Sequence, residues 1–404
     1  MEDFITKEST IIFSPVFNKS IDINLLSLYN KIIFSNYALI DDLFERYSNN
    51  DFNNLILSYS SFNQPVQLPE KIKHLTFGWE FNQSIKLPET ITHLTFGYHF
   101  NQLVILPEKL THLTFGYHFN QLVILPSILT HLTFGFNFNQ PVELPEKLTH
   151  LTFGDYFDQP IELPINLNMI TFGTFFNQLI ELPINLNMIT FGTFFNQHIE
   201  LPENLTHIFF GSKFNQQVVL PENLTHLTFD WAFNQSIKLS PNITSITFGF
   251  EFNQFVELPE NLTYLTFGDC FDQPIELPKK MTHLTFGGDF NKPIKLPENI
   301  THLTFGCNFN QPIELPENLT CITFGYEFNQ KLNFPFGIKY LFLENDQIHN
   351  LDYLPVGIEV LELGQYFDSP LNNLPNSLLV IKLYKNYTGS LKCIPSHTKI
   401  EYLK

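Results

Sequence analysis

A histidine recurs along this chain at intervals of 19 residues, and imidazole is well suited to chemistry near neutral pH. It can transfer protons, change its charge near about pH 6.5 and bind zinc or copper. Other residue types interrupt the column in places. Its members are His74, His93, His112, His131, His150, Met169, Met188, His207, His226, Ser245, Tyr264, His283, His302 and Cys321.

A flat row of identical residues is poorly suited to metal binding. Zinc needs tetrahedral ligands, and no carboxylate or thiolate of the repeat completes a set with neighbouring histidines. Neighbouring strands of a sheet lie about 4.8 Å apart, so stacked neutral imidazoles are the favoured interpretation and zinc or copper binding is the alternative. Because five adjacent histidines repel one another when charged, we expect acidification through about pH 6 to destabilise this part of the sheet.

The chain offers no other set of residues for catalysis. No glycine-rich phosphate loop, nucleophile triad or carboxylate pair stands out from the repeat. Enzymes built on parallel β-helices use clustered, non-repeating Asp, Lys or Arg residues, whereas here His and Thr recur in uniform rows. We therefore predict that the protein is not an enzyme and uses no cofactor.

The histidines belong to a repeat that must set their positions. Phenylalanine recurs every 19 residues in fourteen consecutive copies, from Phe77 to Phe324, without insertion or deletion. A period of this size predicts stacked coils. Each copy holds an L-x-x-L-x-F segment whose end alternates, which predicts a short strand with Leu and Phe inward. His and Thr then face outward, and we expect the threonine hydroxyls of the column from Thr76 to Thr323 to bond from coil to coil.

Two further positions of the repeat carry structural predictions. Glycine follows the strand in thirteen of the fourteen copies, with Asp230 as the exception, and we expect a positive φ at this corner. Asn310 and its equivalents are expected to turn their amides onto the backbone of the next coil. Asp158 and Asp272 replace this asparagine and therefore need protonation, extra N–H donors or water. Leu-Pro closes the return path, which is too short for a helix.

The L-x-x-L-x-F segment is similar to the strand of leucine-rich repeats. The F-N-x-P-I motif, intact at Phe309 to Ile313, resembles the FNIP repeat, and the resemblance covers Phe62 to about Pro335. This family is known chiefly from social amoebae and from giant viruses of amoebae. The resemblance implies an interaction scaffold of unknown partner and supplies no catalytic residues. We predict a mainly β repeat solenoid, a leucine-rich-repeat-like parallel stack of 19-residue coils.

Three regions follow one another along the chain. Residues 62–335 are the FNIP-type 19-residue repeats, and residues 336–404 continue as leucine-rich-type 20-residue repeats and a C-terminal cap. Residues 1–61 are degenerate repeats, with a short helix predicted over Ala38–Tyr47 and a strand over Leu55–Ser58. We interpret this region as a cap on the open sheet edge. The alternative is a remnant of the F-box of some relatives, which implies a substrate adaptor for a ubiquitin ligase.

The chain is acidic, with a net charge of −18 from 22 Lys and Arg and 40 Asp and Glu, which disfavours nucleic acid as a ligand. Glutamate recurs on either side of the return-path Leu-Pro. One interpretation is that this acidic ridge keeps a long sheet protein soluble. The alternative is that the ridge is a docking surface for a basic protein, or a mimic of nucleic acid that acts as a decoy for such a protein. Its members are Glu70, Glu89, Glu108, Glu146, Glu203, Glu222, Glu260, Glu298 and Glu317 after the proline, and Glu143, Glu162, Glu181, Glu200, Glu257, Glu276 and Glu314 before the leucine.

The sequence has no run of 18 apolar residues and no basic secretory start, so we expect a cytoplasmic protein without membrane association, in the host cell if the source is a virus. The four cysteines show neither a metal spacing nor a disulfide framework. We predict a monomeric, non-enzymatic scaffold for an unknown protein partner. The outward sheet face is the predicted contact, because apolar breaks at Met169, Met188, Phe209 and Tyr264 add area that a partner can bury.

Overall fold

The computed structural model describes residues 3–34, 60–345, 354–367, 370–372 and 374–403. The chain forms two compact units, an N-terminal unit of residues 1–205 and a C-terminal unit of residues 206–404. Each unit is a parallel β-solenoid in which every coil contributes one short strand, as predicted. Within the described ranges the only α-helix is α1, Ile23–Leu26. None of the described helices is therefore long and apolar enough to span a membrane.

The described residues of the N-terminal unit form ten strands. All pair in parallel with their neighbours except the first two, which are antiparallel. They are β1 Phe4–Lys7, β2 Thr10–Phe13, β3 Lys31–Phe34, β4 His74–Thr76, β5 His93–Thr95, β6 His112–Thr114, β7 His131–Thr133, β8 His150–Thr152, β9 Met169–Thr171 and β10 Met188–Thr190.

The C-terminal unit contains eleven strands, which pair in parallel in chain order. They are β11 His207–Phe210, β12 His226–Phe229, β13 Ser245–Thr247, β14 Tyr264–Thr266, β15 His283–Thr285, β16 His302–Thr304, β17 Cys321–Phe324, β18 Tyr340–Asn345, β19 Val360–Tyr366, β20 Val380–Tyr384 and β21 Lys399–Leu403.

The register places equivalent residues of successive copies directly beside one another. Leu75 of β4 lies opposite Leu94 of β5, a step of 19 residues that is kept between the strands of the repeats. Tyr340 pairs with Val360 and Val360 with Val380, so the step lengthens to 20 as the proline spacing indicates. It returns to 19 between Val380 and Lys399, which differs from the 20-residue step expected there.

Two columns of phenylalanine fill the core of each unit. In the N-terminal unit Phe77 stacks on Phe81 of the same coil with ring centroids 3.8 Å apart, and Phe96 of the next coil lies 5.9 Å from Phe77. In the C-terminal unit Phe305 and Phe309 stack at 3.7 Å in the same way. Burying one such side chain contributes about 1.5–3 kcal/mol, so this repeated pair is a main source of stability in each coil.

The glycine after each strand does not serve the purpose we predicted. No described glycine has a positive φ. Instead, a Cβ added at Gly97 would overlap the carbonyl oxygen of Gly78 in the preceding coil, and the same overlap recurs along the column. Glycine is needed here because the backbones of adjacent coils approach closely. Beside Asp230 the strands β11 and β12 extend to Phe210 and Phe229, and the Asp230 N–H donates to the carbonyl of Phe210.

The asparagine column holds successive coils together as predicted. Asn310 Oδ1 accepts hydrogen bonds from the backbone N–H of Asn329 at 3.1 Å and from Gln330 Nε2 at 2.9 Å. The column is half-buried. Each asparagine thereby satisfies a backbone donor that no strand reaches.

The two aspartates of this column are accommodated by N–H donors. Asp158 Oδ1 accepts from Asn177 N at 2.9 Å and from Gln178 Nε2 at 3.0 Å, the same bonds that asparagine makes. Asp272 lies beside Lys292, which replaces the usual glutamine and places Nζ 2.6 Å from Asp272 Oδ2. The amide donors of asparagine are therefore not needed for the coil contact.

The first strands extend the sheet of the repeats. Asn18 Oδ1 accepts from Asn63 N at 3.1 Å, and Phe34 stacks on Phe62 at 4.2 Å. β3 pairs directly with β4, with Ile32 opposite Leu75. The predicted helix 38–47 and strand 55–58 lie outside the described residues.

Candidate functional site

Five histidine rings stack face to face on the sheet of the N-terminal unit. Their centroids are 4.2 Å apart at three steps and 4.3 Å apart at the fourth. Met169 and Met188 continue the column on β9 and β10, where both are half-buried. The stacking predicted from the repeat is therefore present. The five rings are those of His74, His93, His112, His131 and His150.

The column is less uniform in the C-terminal unit. His207 and His226 stack at 4.2 Å, after which Ser245 interrupts the rings. A second stack joins Tyr264 to His283 and His283 to His302, each at 4.3 Å. Cys321 follows His302 on the next strand. All the sheet-face residues predicted from the sequence thus lie on the strands. In the C-terminal unit their rings form two separate stacks.

Where a threonine precedes the histidine, as it does at every stacked ring of the N-terminal unit except His74, the threonine sets the imidazole tautomer. Thr111 Oγ1 lies 3.0 Å from the carbonyl oxygen of Thr92 and 2.9 Å from Nδ1 of His112. The hydroxyl proton must go to the carbonyl, which can only accept. Nδ1 of His112 therefore donates to Oγ1, and Nε2 remains unprotonated. Thr130 and His131 repeat this arrangement.

Burial lowers the pKa of four of the five stacked histidines of the N-terminal unit, His74, His93, His112 and His131, and positive charge on neighbouring side chains lowers it further. The pKa of His131 falls from 6.5 to about 4, first through desolvation and then through His112 and His150. The pKa values of His93 and His112 are lowered by the same two causes. The neutral form of His93, His112 and His131 is therefore favoured, and their Nε2 atoms form a row of acceptors.

The outer threonine column does not form the hydroxyl chain that we predicted. Among the described residues, the threonines that follow the strand leucine, such as Thr95, make no hydrogen bond through their hydroxyls to one another. The hydroxyl contacts lie one position before the histidine instead, where Thr149 Oγ1 donates to the carbonyl of Thr130 at 3.0 Å. Which threonines form hydrogen bonds depends on whether their hydroxyls reach a carbonyl of the preceding coil. The alternation of inward and outward residues in the sequence does not indicate this distance.

Two aromatic side chains are exposed on the sheet face of the C-terminal unit. Phe209 of β11 is 37% exposed and Tyr264 of β14 is 49% exposed. Phe209 stands where threonine stands in the other copies, and it faces Thr228 of the neighbouring strand. These residues provide apolar area on an otherwise polar surface.

The acidic ridge is exposed in both units. In the N-terminal unit, Glu143, Glu162, Glu181 and Glu200 occupy one position of four successive copies, and all four are exposed. The side chains of the part of the chain described here include no group of three or more His, Cys, Asp or Glu arranged to hold a metal ion.

Sequence reasoning missed an apolar cluster on the return side of the N-terminal unit. Leu103, Ile105, Leu122 and Ile124 are exposed in two adjacent copies. At the position of Leu103 and Leu122 most other copies carry proline or a polar residue, and at the position of Ile105 and Ile124 most carry glutamate or lysine. The apolar residues at these usually polar positions were the signal in the sequence that could have revealed the cluster. They lie on the solvent-facing side, so they leave the pattern of core residues unchanged.

The FNIP Repeat family model matches the chain twelve times, over 62–99, 81–118, 100–137, 119–156, 138–175, 176–213, 195–231, 233–270, 255–289, 290–314, 309–346 and 345–386. No curated protein matches the chain in sequence.

Solved structures of leucine-rich-repeat proteins are similar to the chain. YopM from Yersinia enterocolitica WA-314 is 20% identical over 90% of this chain and 93% of that protein, with a TM-score of 0.50. CroV588, described as a novel circular LRR protein, is 28% identical over 100% of both chains, with a TM-score of 0.31. The YopM likeness agrees with the solenoid fold. Because the family model matches more than half of its residues, the chain belongs to the FNIP repeat family.

Proposed function

We propose that this protein is a non-enzymatic scaffold that binds a protein partner through its outward sheet face. The observation that carries the proposal is the exposure of Phe209 and Tyr264, 37% and 49%, among the His and Thr residues that predominate on the outward face of the repeat strands. Exposed aromatic residues are enriched at positions that dominate the binding energy of protein interfaces. Repeat solenoids present such extended surfaces for binding.

The rigidity of the face supports the same role. His283 is stacked between Tyr264 and His302, and Thr282 Oγ1 lies 2.9 Å from His283 Nδ1. Side chains that are already ordered lose less conformational entropy when a partner covers them. A partner gains contact area here at a lower entropic cost than on a face of mobile side chains.

The test returns both aromatic positions to the residue types of the repeat. In Phe209→Thr/Tyr264→His we expect recovery of the partner from extracts of the natural host cell to fall at least about tenfold, since loss of two anchors exceeds about 1.4 kcal/mol. Quantitative mass spectrometry of affinity-purified protein measures this. Phe336→Glu is the control, because Phe336 is 82% exposed and stands where most copies carry glutamate.

The proposal is wrong if the double variant and the control recover the same proteins in the same amounts as the unmodified chain. A basic partner that the double variant retains would favour the acidic ridge as the docking site. Recovery of ubiquitin-ligase core subunits, lost on deletion of residues 1–60, would favour the adaptor.

A further inference from the structure

We propose that a groove in the N-terminal unit binds a neutral linear oligosaccharide. The groove has a volume of about 560 Å³ and runs across the coils from Asn82 to Tyr156. One wall is the asparagine column, and the other is the column two residues after the corner glycine. The volume falls within the roughly 300–1,000 Å³ typical of small-ligand sites.

The asparagine wall presents a row of unused amide donors. Asn101 Oδ1 accepts from Asn120 N at 2.9 Å and from Gln121 Nε2 at 3.2 Å. These bonds orient the amide, because only its oxygen can accept from a backbone N–H. No described residue accepts a hydrogen bond from Nδ2 of Asn101 or Asn120. One free NH₂ group is therefore available at each coil, at intervals of about 4.8 Å.

The opposite wall is polar, and at its first coil Glu80 Oε1 lies 4.0 Å from His99 Nε2. His99 and His118 stack at 5.2 Å, and Asn137 Nδ2 lies 2.9 Å from His118 Nδ1. Because Nδ1 accepts from that amide, the neutral His118 ring carries its proton on Nε2 and is a further donor. Burial, followed by the neighbouring His99, lowers the pKa of His118. Tyr156 ends the groove and is 46% exposed.

The lining points to a sugar chain rather than to another polymer. No Lys, Arg, Asp or Glu is among the described residues that line the groove, and the wall column continues to Glu80 beside His99, so an anionic ligand finds no counter-charge there. A net charge of −18 also disfavours nucleic acid. An extended peptide presents carbonyls on one side every roughly 6.6–6.8 Å, which does not match a coil spacing of about 4.8 Å. A pyranose ring advances its chain by about one coil, and its hydroxyls accept from amide N–H groups.

The groove depends on residues that change in the following copies. Asp158 interrupts the asparagine column, and Phe175 takes the wall position in the next coil and stacks on Tyr156 at 5.0 Å. In the C-terminal unit the same wall position holds Lys213 and Glu251. The uncharged wall residues are thus confined to His99, His118, Asn137 and Tyr156, because Glu80 occupies the wall position in the preceding coil.

The test titrates the full chain with cellohexaose and chitohexaose, using calorimetry and ligand-observed NMR. We expect binding of at least one of them, with affinity rising up to the tetrasaccharide and levelling off, because the groove spans four asparagines. Asn120→Asp should weaken binding about tenfold, the effect of losing roughly 1.4 kcal/mol. The Tm should not change, because Asp158 makes the same two coil bonds.

Asn234→Asp is the matched control. Asn234 makes the same bonds, to Asn253 N and Gln254 Nε2 at 3.0 Å each, and lies outside the groove. If Asn120→Asp lowers the Tm, His118→Leu on the other wall replaces it and should weaken binding similarly. The proposal is overturned by no binding at millimolar hexasaccharide, by equal weakening in Asn234→Asp, or by preferential binding of a heparin hexasaccharide or a Ser/Gln hexapeptide.

Discussion

At the scale of single residues, close approach of the backbone explains the most constant position of the repeat. Gly116 packs against the carbonyl of Gly97, and a side chain at either position has no space. Gly288 lies one residue beyond this column, and a Cβ there would be 3.6 Å from Asp269 Cβ, an ordinary contact distance. The two glycines thus differ in the space around them, although neither has a positive φ.

Gly116→Ala should therefore destabilise the protein by about 1–3 kcal/mol, because the added methyl group forces adjacent coils apart. Gly288→Ala is the control and should change the free energy of unfolding by less than about 0.5 kcal/mol. Chemical denaturation followed by circular dichroism measures both. Equal effects of the two substitutions would show that coil contact is not what requires glycine.

At the scale of the strands, the histidine stack links neighbouring strands electrostatically, because a charge on one imidazole disfavours a charge on the next. The rings on β4 to β8 are in van der Waals contact and share one tautomer where a threonine precedes them. Lys31 on β3 and Lys73 lie near His74 and lower its pKa after the larger effect of burial. No carboxylate is among the groups that lower or raise the pKa of these histidines. Protonation therefore meets only repulsion within the stack.

The stack should make stability depend on pH below neutrality. The folded-state pKa values of His74, His93, His112 and His131 lie below 6.5, to about 4 for His131, so the unfolded chain binds protons first as pH falls. The stabilisation is fully present above about pH 6.5 and is lost between pH 6.5 and about 4. We expect the Tm to fall between pH 7.5 and 5.0. The decrease should be smaller in His93→Gln/His112→Gln/His131→Gln, and an equal decrease in both proteins would contradict the expectation.

At the scale of the whole molecule, a stack of coils must protect its terminal strands. β1 runs antiparallel to β2, with Phe4 opposite Phe13, and covers the edge of the N-terminal unit. The rings of these two residues meet edge to face at 5.8 Å. In the C-terminal unit, β21 is the last strand and carries Lys399, paired with Glu401 at 2.7 Å. These features support a capping role for the first strands, because a free parallel edge can pair with another chain.

Deletion of residues 1–8 should convert the protein from a single species into self-associated species. The deletion removes β1 and leaves the backbone groups of β2 without a partner strand, so a second copy can pair there. Size-exclusion chromatography with light scattering measures the mass. Deletion of residues 1–2 alone is the control, and a mass that stays that of one chain after removal of β1 would argue against a cap.

The sequence by itself determined the coil, its strand and the inward columns of Leu and Phe, because a period of 19 with period-2 alternation admits few arrangements. It also located the asparagine bonds and the histidine stack, which follow once equivalent residues lie beside one another. The tertiary structure decided what depends on distances between coils: the reason for glycine at Gly97, the threonine that fixes each imidazole, and the pairing of Asp272 with Lys292. It also decided where polar columns leave a groove, because groove width depends on side chains that the repeat pattern does not constrain.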